Sequence, residues 1–533
     1  MKNIGERRKN RMKIKPSIDK IVYACILGYL ILPILIFVSG WLKWYFALIG
    51  GTIIIVSYIL AIRADEQIIM YRPAKQEFRI LFTAALIILL WTTYSGIGGI
   101  CYQNSDHSAR TAIFRAMVER PWPVKSEDGT RGLIYYIGFW LPSALIGKIF
   151  GFEAGYKFQI IWAALGIWFV YYLICCHRRK VELWTLIFLI FFSGLDILGE
   201  AFRSRDGLNL LLDRHLEWWH QGGLQYSSFT TQLFWVFNQA VPAWVAVAFL
   251  MNHKKCNNML LILGSIMLCS TFPFVGFIPV VTFWIISKCR LDRNKWRKEV
   301  FTIQNMTGVL VIGIISFLYL IGNVSGNNVE DNRYQVEEST VQQKMDSDLL
   351  VSVGTGFYGT SAELELEVAQ PQISVWDRIS DWMHYYGVFY VVEFGFYMLL
   401  ILPYQRKNPL FYVVLAELLI CPFIKVVFQQ DFCMRASIPV YFLLMIMCMD
   451  TFAQMKENSR EKLQADYILF IILLCVAGLT PTNEINRCTS EMYVRANQGV
   501  TNQYPESSIE EILNGFNFSG NVEKNFFYRY LAR

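Results

Sequence analysis

Long apolar runs separated by short polar stretches make up most of the chain, and roughly 20 apolar residues are what one helix needs to cross a bilayer core. On that pattern, spans are expected near 21–41, 44–62, 79–98, 156–176, 182–198, 229–251, 305–322, 384–403, 409–427 and 437–454. Residues 256–287 carry basic groups at both ends and Pro273 in the middle, so two short helices forming a hairpin suit them better than one kinked span. Residues 467–480 are short, yet they follow the Lys456 to Lys462 cluster and are expected to make the last crossing. The pattern predicts an all-α polytopic membrane protein with about 13 transmembrane helices. Residues 133–150 are apolar enough to insert, but insertion would carry the basic group His177 to Lys180 outside. They are therefore expected to lie flat at the outer interface.

Composition agrees: 54% of the residues are hydrophobic and 17% charged, more apolar material than a soluble surface of this size can hide. The net charge of +7 comes from short basic clusters between apolar runs, which is the positive-inside pattern and not a nucleic-acid footprint. The basic N-terminus (Lys2 to Lys15) precedes a first span with no cleavage site, so it is expected in the cytoplasm of a multi-pass plasma-membrane protein. Outer pieces are then 99–155, 197–228, 323–383 and the C-terminal 481–533. The 323–383 loop holds eleven acids against three basic residues, and its alternating ELELE stretch suggests a small outer strand. The twelve cysteines are scattered without CxxC spacing, which points to neither a zinc site nor a disulfide framework.

Candidate chemistry lies in the outer pieces. Residues 103–124 read as a short amphipathic helix ended by Pro121, with Asp106 facing water, Arg110 four residues on, and Ile113, Phe114 and Met117 beneath, toward the membrane. On spacing alone, Asp106 and Arg110 also suit a plain solvated ion pair. Asp196 and Glu200 share a helix face at the outer mouth of the fifth span, as a second acidic site or as a helix-end carboxylate paired with Arg203. His215 and His220 flank Trp218 and Trp219. At five residues apart they diverge by about 140° on a helix, so a shared metal is disfavoured, while the indoles suit an interfacial belt with Tyr226 and Phe229 or stacking on sugars. Arg435 and Lys425, near the outer end of a span, are cations that a lipid-linked phosphate would satisfy; Glu417 is the alternative partner of Lys425. Glu393 lies within a span without an assigned role.

The run SDHSAR, then GFWLPSALIGKIFG, then FQIIWAALGIWFVYYLICCHRRK resembles, in order and spacing, the GT-C superfamily of polytopic glycosyltransferases. The likeness is to the protein O-mannosyltransferase and aminoarabinose transferase type, and covers about 79–200 well. It implies a GT-C-like core over 79–480 with outer jaw-like helices, preceded by a basic segment and two additional spans over 1–78 and followed by the 481–533 tail. The activity implied is sugar transfer from a polyprenyl-phosphate-sugar donor to a glycan, lipid or protein acceptor at the outer face, with inversion. Asp106 would be the catalytic base and Arg435 and Lys425 the donor-phosphate contacts. Asp196 and Glu200 would form a second acidic site. His107, Arg110, His215, Trp218 and Trp219 would be possible substrate contacts. A divalent cation, Mg²⁺ or Mn²⁺, is the one cofactor implied; His107 stands where many relatives carry a second acid, which bears on it. Rival readings are a flippase or transporter of lipid-linked sugars, with its charges at the midplane, and a polymerase or ligase of lipid-linked oligosaccharides. No GxxxxGK[ST] or HExxH motif occurs.

Overall fold

A computed structural model describes residues 18–64, 68, 70–203, 215–220, 223–323, 383–424, 431–459, 464–515 and 518–533. The apolar runs fold as helices because a chain in lipid must satisfy its backbone polar groups internally. In order these are α1 (Ile18–Trp41), α2 (Trp44–Arg63), α3 (Phe78–Tyr94), α4 (His107–Glu119), α5 (Leu141–Phe150), α6 (Phe152–Arg178), α7 (Leu183–Phe191), α8 (Asp196–Arg203) and α9 (Phe229–Met251). There follow α10 (Met259–Ser265), α11 (Thr271–Cys289), α12 (Ile303–Asn323), α13 (Tyr385–Gln405), α14 (Pro409–Ile420), α15 (Asp431–Ala436), α16 (Ile438–Asn458), α17 (Ala465–Gln498) and α18 (Ile509–Asn514). Eleven helices among the described residues are long and apolar enough to cross a membrane. The chain is an all-α polytopic membrane protein.

Among the described residues, two of the 13 expected spans do not reach spanning length. Residues 256–287 do form two helices, but unequally: α10 has seven residues and α11 nineteen. The break precedes Thr271, so Pro273 sits in the first turn of α11, where a missing N–H removes no helical bond. Of the expected span 409–427, the described residues are helical over Pro409–Phe423, below spanning length, and 425–427 lie outside them. At the other end, the last crossing does not stop at 480 but continues as a 34-residue helix to Gln498.

Gly138–Phe150 is an apolar helix too short to span. Helix α4 differs from expectation in what covers its apolar side: Ile113, Phe114 and Met117 are fully buried inside the protein, with Phe114 packed on the rings of Phe152 and Tyr156 from α6. Periodicity reveals that a face is covered, not whether lipid or protein covers it.

The C-terminal tail folds back onto the α4 region. Strand β1 (Arg131–Leu133) pairs antiparallel with β2 (Ser519–Asn521), Gly132 opposite Gly520. Arg115 on α4 binds Glu506 at 2.8 Å, Arg120 binds Glu510 at 2.6 Å, and the Arg533 amide donates to the Trp41 carbonyl. The ELELE stretch lies outside the described residues.

Candidate functional site

Asp106 is the residue immediately before α4, and one turn on Arg110 meets its carboxylate at 2.7 Å. Arg110 is buried, its guanidinium 5.6 Å from the Phe237 ring centre, whereas the Asp106 side chain is 42% exposed. A buried cation thus fixes the position of a solvent-accessible carboxylate.

Arg435 reaches the same place from a distant part of the chain. Its short helix α15 lies against α11 at Gly276, where a Cβ would overlap the Ala436 carbonyl oxygen. The Arg435 guanidinium binds Asp431 at 3.0 Å and donates to the Tyr136 hydroxyl at 2.7 Å, while Tyr135 donates to Tyr136. Burial alone would lower the pKa of Arg435, but Tyr136, Asp431, Tyr135 and Asp106 outweigh it, and the net shift is upward. Arg110 and Arg435 also both act on Tyr135. Each guanidinium leaves one buried N–H (Nη1 of Arg110, Nε of Arg435) with no acceptor among the described residues. Buried donors of that kind are costly unless something anionic or polar satisfies them.

His107 lies beneath this group, stacked on Phe237 and 3.3 Å from the Gln103 amide. Burial first and Arg110 second push its pKa down to about 3, so it is neutral at physiological pH and serves as a fixed polar wall.

A second cluster is fully buried and not at an open mouth as expected. The fifth span breaks between α7 and α8, and Asp196 opens α8 with its carboxylate accepting from Ser193 at 2.9 Å and Thr480 at 3.0 Å. Glu393 from α13 interacts electrostatically with Asp196 and accepts from the Trp219 indole at 3.1 Å. Gly194 makes room for it: a Cβ there would come 2.6 Å from the Glu393 carboxylate. Glu217 accepts from the Ser228 amide at 2.9 Å; burial first, then Asp196, hold its pKa well above the usual carboxylate range. Glu200 is buried as well. Trp219, Tyr226 and Phe229 pack inside the protein, so of the expected aromatic belt only Trp218 is exposed.

Trp218 stacks on His215 at 4.8 Å. His215 faces Glu484 at 3.6 Å, and Glu484 also binds Arg487 at 2.7 Å and the Trp235 indole at 3.0 Å. His220 turns to the Tyr385 carbonyl instead, so the two histidines diverge as their spacing predicts. Asn104, two residues before Asp106, donates to the carbonyl of Phe234, beside Trp235, which brings the first and third groups to one end of α9.

The structure therefore gathers Asp106, His107, Arg110 and Arg435 at one place, Asp196 and Trp219 at a second, and His215 and Trp218 at a third. Lys425 lies outside the described residues. Neither carboxylate oxygen of Glu417 has a hydrogen-bond partner among them. Sequence reasoning missed Tyr135, Tyr136 and Asp431 at the first place, and Glu217, Thr480 and Glu484 at the others. The tandem tyrosines within an apolar stretch were the one visible signal. A cavity of about 520 Å³, lined by Gln103, Arg115, Tyr156, Arg495 and Tyr504 among others, opens beside α4 under the tail and contains none of the expected site residues. No protein-family model, no curated protein and no solved structure matches the chain.

Proposed function

We propose that the protein is a membrane glycosyltransferase that moves a sugar from a polyprenyl-phosphate-linked donor to a glycan, lipid or protein acceptor at the outer membrane face. The observation carrying this reading is the pair of buried guanidinium groups, each with an unsatisfied N–H, beside the half-exposed carboxylate of Asp106. Such donors suit a phosphate, and the carboxylate suits an acceptor hydroxyl.

In the reaction, the acceptor oxygen attacks the anomeric carbon while its proton passes to the Asp106 carboxylate. The bond from that carbon to the phosphate oxygen breaks, and Arg435 and Arg110 stabilise the charge left on the leaving phosphate. A single displacement inverts the anomeric centre. Trp218, stacked on His215, offers an exposed ring for a sugar face. Asp196, Glu217 and Glu393 do not bring their carboxylate oxygens within 4.8 Å of one another, so this acidic place does not suit a single Mg²⁺ or Mn²⁺ ion.

Those same three buried carboxylates favour a second reading, a proton-coupled transporter or flippase of the lipid-linked sugar, because ionisable groups inside a membrane protein commonly mark ion pathways. Incubation of purified, reconstituted protein with a radiolabelled polyprenyl-phosphate sugar separates the two. Labelled acceptor supports the transferase. Unchanged donor that becomes protected from a reagent outside the vesicle supports transport and refutes the transferase.

A further inference from the structure

The loop after α9, the end of α11 and the turn leading to α12 meet at a cluster that the proposed reaction does not use. Sγ of Cys256, Sγ of Cys289 and a carboxylate oxygen of Glu299 all lie within 4.8 Å of one another. The two sulfurs are 3.9 Å apart, both thiols are free, and both cysteines are buried. Zinc–thiolate bonds of about 2.3 Å at tetrahedral angles put two sulfurs roughly 3.8 Å apart, so the thiols already stand at the spacing one ion would impose.

The surroundings are prearranged in the same sense. The Cys256 amide donates to the Glu299 carboxylate at 3.1 Å, fixing one oxygen and the carboxyl plane. The Asn305 side-chain amide gathers the carbonyls of Cys256, Glu299 and Val300 at 2.9, 3.1 and 3.0 Å, which locks the backbone of two of the three ligating residues. Outer hydrogen bonds of this type hold metal ligands in place. Charge balances too: two thiolates and a carboxylate against a divalent ion leave one negative charge. The neighbouring Lys288 ammonium, which donates to the His253 carbonyl and interacts with both Cys256 and Glu299, offsets it. Without an ion the Cys256 thiol is a poor nucleophile, because burial, and after it Cys289, push its pKa up to about 12.

We propose that Cys256, Cys289 and Glu299 bind one Zn²⁺, with a fourth position left to solvent, and that the ion clasps the three consecutive segments that carry them. Two thiolates select a borderline-soft ion over Mg²⁺ or Mn²⁺, so this site is separate from any divalent ion used in sugar transfer. The separation of 33 positions between the cysteines hides the pairing from any short-spacing motif search.

The test uses the full chain in detergent, reduced and stripped with a chelator, then titrated with Co²⁺ as the spectroscopic stand-in and with Zn²⁺ as competitor. The expected result is a thiolate-to-cobalt charge-transfer absorption saturating at one ion per chain and abolished by Zn²⁺. Cys289→Ser should weaken binding by more than roughly 100-fold, beyond the effect of losing an outer partner. Zn²⁺ should also raise the melting temperature of the wild-type protein, a readout that stands even where a variant fails to fold. Reduced wild-type protein that shows no charge-transfer band and no Zn²⁺-dependent melting shift overturns the proposal. Equal Co²⁺ spectra in wild type and Cys289→Ser, or a Cys256–Cys289 disulfide in protein purified under reducing conditions, also overturn it.

Discussion

Replacing Arg435 by Gln isolates what its charge does. Gln fills most of the same volume and keeps a donor for the Tyr136 hydroxyl, but it removes the cation that Asp431, Tyr136 and Asp106 surround. The fold should tolerate this: the Asp431 side chain is 39% exposed, and an ion pair that open to water is worth no more than about 1 kcal/mol. The effect on a phosphate should be much larger. Removing one partner of a buried, hydrogen-bonded charge pair costs on the order of 2–5 kcal/mol, which is roughly 30- to 5,000-fold in kcat/KM at about 1.4 kcal/mol per decade. Steady-state transfer from a polyprenyl-phosphate sugar, measured with wild-type and variant of matched monodispersity, reads this directly. If the leaving phosphate is what Arg435 stabilises, kcat falls along with kcat/KM. An Arg435→Gln protein that melts like wild type and transfers sugar within threefold of it refutes the phosphate role.

Three further outcomes follow from the geometry. His107 is held neutral, with its pKa near 3 against 6.5 in an exposed chain, so the unfolded state binds the extra proton; stability present above about pH 6.5 should be lost toward pH 3 at up to about 1.4 kcal/mol per pH unit. His107→Gln should flatten that stretch of the melting profile, and an unchanged acid slope would contradict the burial argument. Gly194→Ala places a Cβ 2.6 Å from the Glu393 carboxylate and 3.2 Å from its Cα, which should destabilise by about 1–3 kcal/mol; wild-type melting in detergent would show that Glu393 is not packed there. Ser105 is exposed whereas the Ser108 hydroxyl is engaged with Ser507 at 2.6 Å. Ser105→Cys should therefore react with a membrane-impermeant thiol reagent added outside, faster than Ser108→Cys. Labelling only from the cytoplasmic side would reverse the assumed orientation.

The helices were legible because the bilayer demands runs of fixed length, and α9 coincides with the expected 229–251. Boundaries failed where a local feature outweighed hydropathy. The break before Asp196 comes where Gly194 meets Glu393 and the Leu195 amide donates to the Val392 carbonyl, contacts no local pattern carries. The Asp106–Arg110 pair was readable because helical spacing alone brings such residues together. Its junction with Arg435 was not, since Tyr136 and Arg435 are 299 residues apart. Glu393 had no role as a lone acid in an apolar run; its meaning comes from Asp196 and Trp219, which tertiary packing delivers. The covered face of α4 was assigned to lipid for the same reason: a stripe of Ile113, Phe114 and Met117 looks alike whether it meets acyl chains or α6.

The central claim is that Asp106 removes the acceptor proton during sugar transfer, and the decisive measurement is the turnover of Asp106→Asn on a polyprenyl-phosphate-sugar donor. Asn keeps the shape of the side chain but cannot take a proton, so turnover should fall by about 10²–10⁴-fold while expression, membrane insertion and melting stay near wild type. Turnover equal to that of the wild type in a well-folded Asp106→Asn protein would contradict the account.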